Sequence, residues 1–69
     1  MNRIPVSSSN ISSIGYDSSS NILEVAFNSG GVYQYSNVPN NVYLSLMNAS
    51  SKGGYLAQNI KGRYPYRQI

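Results

Sequence analysis

The chain has 69 residues, with five basic and two acidic side chains, no cysteine and no histidine. A chain of about this length forms one domain and buries only about 60% of its unfolded surface, so its core leaves little margin of stability. The composition excludes disulfides and the common zinc sites, which often supplement a small core. We therefore expect the contact with a second copy of the chain to supply the additional stability, in a homo-oligomer.

The charges are unevenly distributed along the chain. Asp17 and Glu24 lie in its first third, whereas four of the five basic residues lie at or after Lys52. A basic end of this kind suits phosphates or an acidic surface, although a solvated tail has the same composition. No segment approaches the ~18 apolar residues of a membrane span, and the first residues form no apolar signal region. We therefore expect a cytoplasmic protein without membrane contact.

Residues 1–10, rich in Ser and Asn, predict a flexible N-terminal arm, and residues 11–69 predict a single domain. Ile14 and Tyr16 alternate with smaller residues and indicate a short strand, which the polar cluster at 17–21 ends.

The clearest strand signal is Ile22–Phe27. Leu23, Val25 and Phe27 share one face of this strand, and Glu24 lies on the other face, where we expect it to meet solvent.

A glycine-rich turn after Phe27 predicts a hairpin. A three-residue turn with Gly31 in a left-handed bulge sets Phe27 opposite Tyr33. The same register sets Val25 opposite Tyr35 and keeps the large apolar groups on one face, so we prefer it to a two-residue turn. For Tyr33 and Tyr35 we favour packing in the core over contact with a ligand.

Two helices are predicted after the hairpin. Pro39 suits a first helical residue, and Gly53 or Gly54 can end the longer helix. Its apolar stripe is Val42, Leu46 and Ala49, widened by Tyr43 and Met47. Residues 55–60 predict a second, short helix that Gly62 stops. Together these elements predict an α+β fold, in which a small antiparallel sheet of three or more strands is followed by one longer and one short helix packed on one face.

The side chains that most enzymes need are absent. General acid–base catalysis draws on His or on closely held carboxylates, and the chain has no His and only two carboxylates. Ser51 and Lys52 are adjacent, so on a helix they point in different directions. One Asp and one Glu make a poor metal site. We interpret the chain as a binding protein with no catalytic residue, metal or cofactor, rather than as an enzyme.

Two segments carry the candidate ligand-binding residues. In the first, two glycines allow close backbone approach and precede a possible helix start, where free amides favour an anion; a glycine-terminated helix is the alternative. Its residues are Ser51, Lys52, Gly53, Gly54 and Tyr55.

The second segment interleaves basic and aromatic residues, which can pair with phosphates and stack on bases. Its residues are Lys61, Arg63, Tyr64, Tyr66 and Arg67. In an extended tail Tyr64 and Tyr66 share one face and the arginines the other, and Pro65 confines any strand there to a sheet edge. Tyrosines that only close the core or a subunit interface are an equal alternative.

The order and spacing of several short motifs resemble the KTSC domain. The motifs are Ile14-Gly15-Tyr16-Asp17, Leu23-Glu24-Val25-Ala26-Phe27, Gly30, Tyr33-Gln34-Tyr35, Val38-Pro39, Val42-Tyr43, Ala49-Ser50, Tyr55, Ile60 and Tyr64. That domain lies at the C-terminus of some lysyl-tRNA synthetases and occurs as a free-standing protein in bacteria and phages, so the resemblance implies a bacterial host cell. RNA binding has been suggested for the family, and the resemblance therefore implies RNA binding as a possible function. Leu56 and Ala57 depart from the family, where an aromatic and then a polar residue are more usual.

Three functional hypotheses follow. The first is a non-enzymatic binder of nucleotide phosphates, in its sharpest form a protein that sequesters a cyclic oligonucleotide signal of antiviral defence. The second is an RNA-binding module, as the resemblance implies. The third is a protein-interaction domain whose aromatic surface is an interface.

Overall fold

The computed structural model describes residues 1–69 and confirms an α+β fold. The five strands are β1 (Arg3–Pro5), β2 (Ile11–Asp17), β3 (Ile22–Phe27), β4 (Val32–Tyr35) and β5 (Tyr66–Gln68). Between β4 and β5 lie helix α1 (Asn40–Asn48) and helix α2 (Lys52–Tyr55), which continues into a π-helical turn (Leu56–Ile60). The sheet is antiparallel throughout, in the order β1-β2-β3-β4-β5. Neither helix has the length and apolar character that crossing a membrane requires.

The core lies between the inner face of the sheet and the helical segments. Nine buried side chains form it: Ile11, Ile14, Leu23, Val25 and Tyr35 from the sheet, with Val38, Leu46, Leu56 and Ile60. The predicted stripe of the longer helix is confirmed at Leu46, which is buried, and at Val42, Tyr43 and Met47, which pack against the core. It fails at Ala49, which lies beyond the end of the helix. The inner-facing residues of the two edge strands stay outside it, with Ile4 52% and Tyr66 62% exposed.

A β-bulge lets β2 supply two isoleucines to this core. Ile11 pairs with Phe27 and Ser13 with Ala26, so the register shifts across Ser12. Without the extra residue, Ile11 and Ile14 would point to opposite faces, since side chains alternate along a strand. With it, both are fully buried.

The predicted register of the β3–β4 hairpin was wrong by two residues. The Phe27 amide donates to the Gly31 carbonyl at 2.8 Å, and Val25 pairs with Tyr33 rather than with Tyr35. Gly30, not Gly31, takes the positive φ of 107° that the turn needs. A shift of two residues preserves every side-chain direction, so the apolar groups stay on one face as predicted.

The N-terminal residues need a correction, because part of the predicted flexible arm is a strand. Arg3 pairs with Gly15 and Ile4 with Ile14 at the edge of the sheet. Further along the segment, the Ser8 hydroxyl accepts hydrogen bonds from two following backbone amides. Close packing also holds the segment, since a Cβ at Gly15 would meet the Asn2 carbonyl oxygen at 2.8 Å.

The predicted boundary between the helices was also wrong. The first helix ends at Asn48, and Ala49 is already extended. Gly53 and Gly54 lie inside the second helix, which begins at Lys52 because the Ser51 hydroxyl caps it by accepting a hydrogen bond from the Gly54 amide at 3.2 Å.

Glu24 is not the solvent-facing residue that the alternation predicted, since only 5% of it is exposed. Arg3 forms an ion pair with one carboxylate oxygen, and Gln34 donates to the other at 2.9 Å. Arg67 donates to the Gln34 side-chain oxygen at 3.4 Å, so this row of polar side chains joins both edges of the sheet on its outer face. The hydrogen bond from Gln34, together with the hydrogen bond and charge of Arg3, lowers the pKa of Glu24 although burial opposes this.

The polar row predicts acid-sensitive stability. Because the folded-state pKa of Glu24 lies below its ordinary value of 4.5, its stabilising effect is present above that pH and is lost as the pH falls through the folded-state pKa. Glu24→Gln removes the charge that holds Arg3, so we expect the free energy of unfolding at neutral pH to fall by about 1.5 kcal/mol. Urea unfolding across the acidic range should show a shallower pH dependence for this variant. Identical pH profiles for the two proteins would contradict this role.

Ser51 is both a predicted site residue and the cap of the second helix, so we expect its substitution to lower the stability of the protein. Ser51→Ala removes the hydroxyl that accepts from the Gly54 amide, and the loss of such a cap costs about 1 kcal/mol. In a domain of this size we expect the unfolding midpoint to fall by about 4–8 °C. The exposed Ser50 has no side-chain hydrogen bond, so Ser50→Ala is the matched control and should melt like the parent. Equal midpoints for all three proteins would show that the cap is unimportant.

Candidate ligand-binding groove

An aromatic groove of about 590 Å³ lies at the β4–β5 end of the inner sheet face. Strand β3 supplies the ring at its end, and β4 and β5 supply three tyrosines, because alternate residues of a strand share a face. The residue after the π-helical turn supplies a lysine. The lining residues are Phe27, Ser29, Tyr33, Tyr35, Lys61, Gly62 and Tyr66.

The rings of this groove form a chain of contacts. Phe27 and Tyr33 meet edge to face with centroids 5.5 Å apart. Tyr66 lies 5.7 Å from both Tyr33 and Tyr35, at tilted angles, yet most of its surface is open to solvent. The groove therefore combines a packed aromatic floor with one exposed ring that a planar ligand can stack on.

A second, polar cleft of about 360 Å³ contains most of the first predicted segment. Its lining residues are Ser7, Ser8, Ser9, Asn10, Ser50, Ser51, Lys52, Gly53 and Gly54. A Cβ at Gly53 would lie 3.2 Å from the Asn10 side-chain nitrogen, so glycine permits the N-terminal segment to approach this closely. Lys52 donates to the Ala49 carbonyl at 3.3 Å, and the Gly54 amide already donates to Ser51. These contacts give part of the predicted anion site a role in holding the helix start.

A shallow cleft of about 410 Å³ connects the two sites. It shares Ser9 and Asn10 with the polar cleft, and it shares Phe27, Ser29 and Lys61 with the aromatic groove. The structure therefore places Ser51–Gly54, Lys61 and Tyr66 along one continuous surface depression.

The other predicted site residues lie away from the aromatic groove. Tyr55 and Tyr64 are partly buried against the core, and Tyr55 also lines a small neighbouring cleft beside Gln58 and Asn59. Arg63 is exposed in the turn before β5 and lines none of these clefts. Arg67 lies on the outer face, where it contacts Gln34. The tail places Tyr66 and Arg67 on opposite faces of the sheet, as its alternation predicted.

The charge around the groove is positive. Lys61 is the charged residue of the aromatic groove, and Lys52 is that of the polar cleft. The two acids lie elsewhere, because Glu24 is paired on the outer face and Asp17 bonds to Ser19 in a turn. Nearby hydrogen bonds from Ser19 and Ser20 lower the pKa of Asp17, which keeps it ionised there. No three His, Cys, Asp or Glu side chains are grouped where they could hold a metal ion.

The sequence pattern predicted that the central tyrosines of the groove, Tyr33 and Tyr35, pack in the core. Tyr35 is a core residue and Tyr33 packs against the core, but both also line the groove. Burial raises the pKa of Tyr35, and the neighbouring Tyr33 and Tyr66 phenols raise it further, so its hydroxyl stays protonated. The available signal was the excess of tyrosines over what a 69-residue core can hide.

Known proteins match nearly the whole chain. A protein of Stutzerimonas stutzeri (strain A1501) is 41% identical over 70 residues, which cover 100% of this chain and 99% of that protein. A crystal structure of a KTSC domain protein from Yersinia pestis is 46% identical, with a TM-score of 0.96, and the match covers 99% of this chain and 96% of the other.

Larger proteins match over a small part of their length. The lysine–tRNA ligase of Trichormus variabilis (strain ATCC 29413 / PCC 7937) is 44% identical over 54 residues, which are 78% of this chain but 10% of the ligase. The chain thus spans about a tenth of that enzyme. The family model of the KTSC domain matches residues 7–64. The chain belongs to the KTSC domain family.

Proposed function

We propose that this domain is a non-catalytic binding module for nucleotide phosphates, and that the aromatic groove is its binding site. The observation that carries the proposal is the groove itself, in which an exposed tyrosine, a partly buried tyrosine and a lysine face the same space without an acid. Bases stack on aromatic rings, and each such contact contributes ~1–3 kcal/mol. Lys61 has no ion-pair partner and is free to pair with a phosphate.

The number of basic residues favours a compact ligand. Lys52, Lys61, Arg63 and Arg67 could neutralise at most about four phosphates of a single strand, which corresponds to a salt slope of roughly −3. Arg67 lies on the outer face of the sheet, so at most three of these basic residues could contact a ligand in the groove. Single-stranded RNA held by so few charges would dissociate readily in salt, whereas a small ligand can be enclosed by rings and hydroxyl groups.

The connection between the groove and the polar cleft favours a ligand with more than one phosphate. A base on Tyr66 would leave its phosphate near Lys61, and a further phosphate could follow the cleft past Asn10 toward Lys52. A cyclic di- or trinucleotide has this combination of bases and closely spaced phosphates. The proposed role is to sequester such a signal without degrading it.

RNA binding is the second candidate, and the ligase relatives favour it. Lysine–tRNA ligases contain a segment 38–44% identical to this chain. An open groove with rings and a lysine could also hold one or two unpaired bases of an RNA.

We also propose that the protein is a homo-oligomer. Five large apolar side chains are 47–62% exposed, and a second copy could cover some of them: Met1, Ile4, Leu44, Tyr66 and Ile69. Light scattering at tens of micromolar should give more than the mass of one chain. A monomer at that concentration would contradict this proposal, and an oligomer that blocks the groove would favour the protein-interaction hypothesis.

The ligand class can be tested directly by calorimetry on purified protein freed of co-purified nucleotide. The panel contains cyclic di- and trinucleotides, nucleoside monophosphates and a single-stranded RNA of about ten bases. We expect sub-micromolar binding of a cyclic nucleotide that is recovered intact after denaturation. Tight, salt-sensitive binding of the RNA alone would favour the second candidate, and no binding of any member would contradict both.

The site can be tested with two variants that remove the same charge from opposite faces. Lys61→Ala should weaken binding about tenfold, because it removes the charge that faces the groove. Arg67→Ala should leave affinity nearly unchanged, since its guanidinium lies on the outer face. Both are exposed, so their unfolding free energies should stay within about 0.5 kcal/mol of the parent apart from the weak Arg67–Gln34 contact. Equal losses from both variants would indicate a nonspecific charge effect.

A further inference from the structure

The hydroxyl group of Tyr35 is unusual among the buried polar groups of the chain. Only 2% of Tyr35 is exposed, and its hydroxyl forms no hydrogen bond within the protein. In contrast, every side-chain nitrogen or oxygen atom that is itself closed to solvent has a hydrogen-bond partner. The Tyr35 oxygen must therefore be part of the small exposed fraction of this residue, and the opening that Tyr35 lines is the aromatic groove.

Tyr16 provides the comparison within the same fold. Its hydroxyl donates to the Val38 carbonyl at 2.6 Å and so ties the sheet to the loop before α1. Tyr35 has no such structural bond, although it is the more deeply buried of the two residues. Because the Tyr35 oxygen keeps some exposure and Tyr35 lines the groove, a molecule that enters the groove can bond to this hydroxyl directly.

The surroundings of this hydroxyl select the kind of group that can reach it. The floor consists of aromatic rings, and Lys61 is at the exposed rim. A charged phosphate would lose its hydration on reaching such a floor, which is costly without a paired charge. A nucleobase is planar and uncharged and carries donors and acceptors along its edge. A neutral phenol can bond to a donor or to an acceptor on that edge, because its hydroxyl both donates and accepts hydrogen bonds.

We propose that Tyr35 reads the edge of a nucleobase at the floor of the groove, so that the ligand must carry a base and not only phosphate. This inference rests on the proposed function and assigns a different contact with the ligand to each of three groove residues. Tyr66 stacks on the base, the Tyr35 hydroxyl bonds to its edge, and Lys61 holds the phosphate at the rim. Tyr35 is then a specificity-determining residue rather than a core residue alone.

The test compares two probes, adenosine 5′-monophosphate and ribose 5-phosphate, by calorimetric titration. Tyr35→Phe keeps the ring and removes the hydroxyl, and we expect it to weaken nucleotide binding about three- to tenfold while ribose phosphate binding stays unchanged. Tyr43→Phe is the matched control, because Tyr43 stacks on Tyr16 at 4.7 Å and does not line the groove. Lys61→Ala should weaken both probes.

The outcomes separate this inference from the function on which it rests. If Tyr35→Phe binds the nucleotide as the parent does while Lys61→Ala weakens it, the reading role of Tyr35 is overturned and the proposed function remains. A parent protein that binds ribose phosphate as tightly as the nucleotide would also overturn the reading role. Failure of the parent to bind either probe or any cyclic nucleotide would overturn the proposed function and this inference together.

Discussion

The limited cover that the helices provide is the constraint on which the site depends. The buried core reaches the three middle strands, but the inner-facing side chains of the edge strands, Ile4 and Tyr66, remain more than half exposed. At the β1 edge the result is an exposed isoleucine. At the β5 edge it is a groove, because several aromatic rings meet there beside Lys61. The same shortage of apolar cover that limits a small core thus leaves open the groove that we propose as the ligand-binding site.

The two faces of the sheet then take different roles. On the outer face, Glu24 lies at the centre of a polar row that joins both edge strands to the middle of the sheet. This row uses Arg3 and Arg67, which are therefore not available to the inner face. The opposite face keeps Lys61 unpaired and free of acidic neighbours. A positive, aromatic groove follows from this separation of charges between faces.

The sequence predicted the fold where local patterns determine it and failed where contacts distant in the chain decide. Alternation in Ile22–Phe27 and the apolar stripe of α1 were sufficient to predict β3, α1 and the faces that they turn to the core. The hairpin register was wrong because either of two adjacent glycines could take the left-handed position. The burial of Glu24 was missed because its partner Arg3 lies 21 residues away, in a strand with too few residues to show alternation.

The lining of the candidate groove was predicted in part for the same reason. Tyr66 and Lys61 carried a local signal of interleaved charge and aromatic rings, and both line the groove. The spacing of Lys52 to Gly54 suggested free amides, but the Ser51 cap that occupies one of them depends on the real start of the helix. Whether a tyrosine of β4 is covered by the core or lines the groove depends on how far the helices extend over the sheet, which no local sequence pattern reveals.

The most direct test of this account is to map where a nucleotide contacts the protein. Amide chemical shifts of ¹⁵N-labelled chain, followed during titration with a cyclic dinucleotide, should change around Phe27, Tyr33, Tyr35 and Lys61–Gly62 and continue toward Asn10. Outer-face residues at the opposite edge of the sheet, such as Arg3 and Gly15, should change little. Shifts confined to the outer face, or none at saturating ligand, would contradict the claim that the uncovered aromatic groove is the binding site.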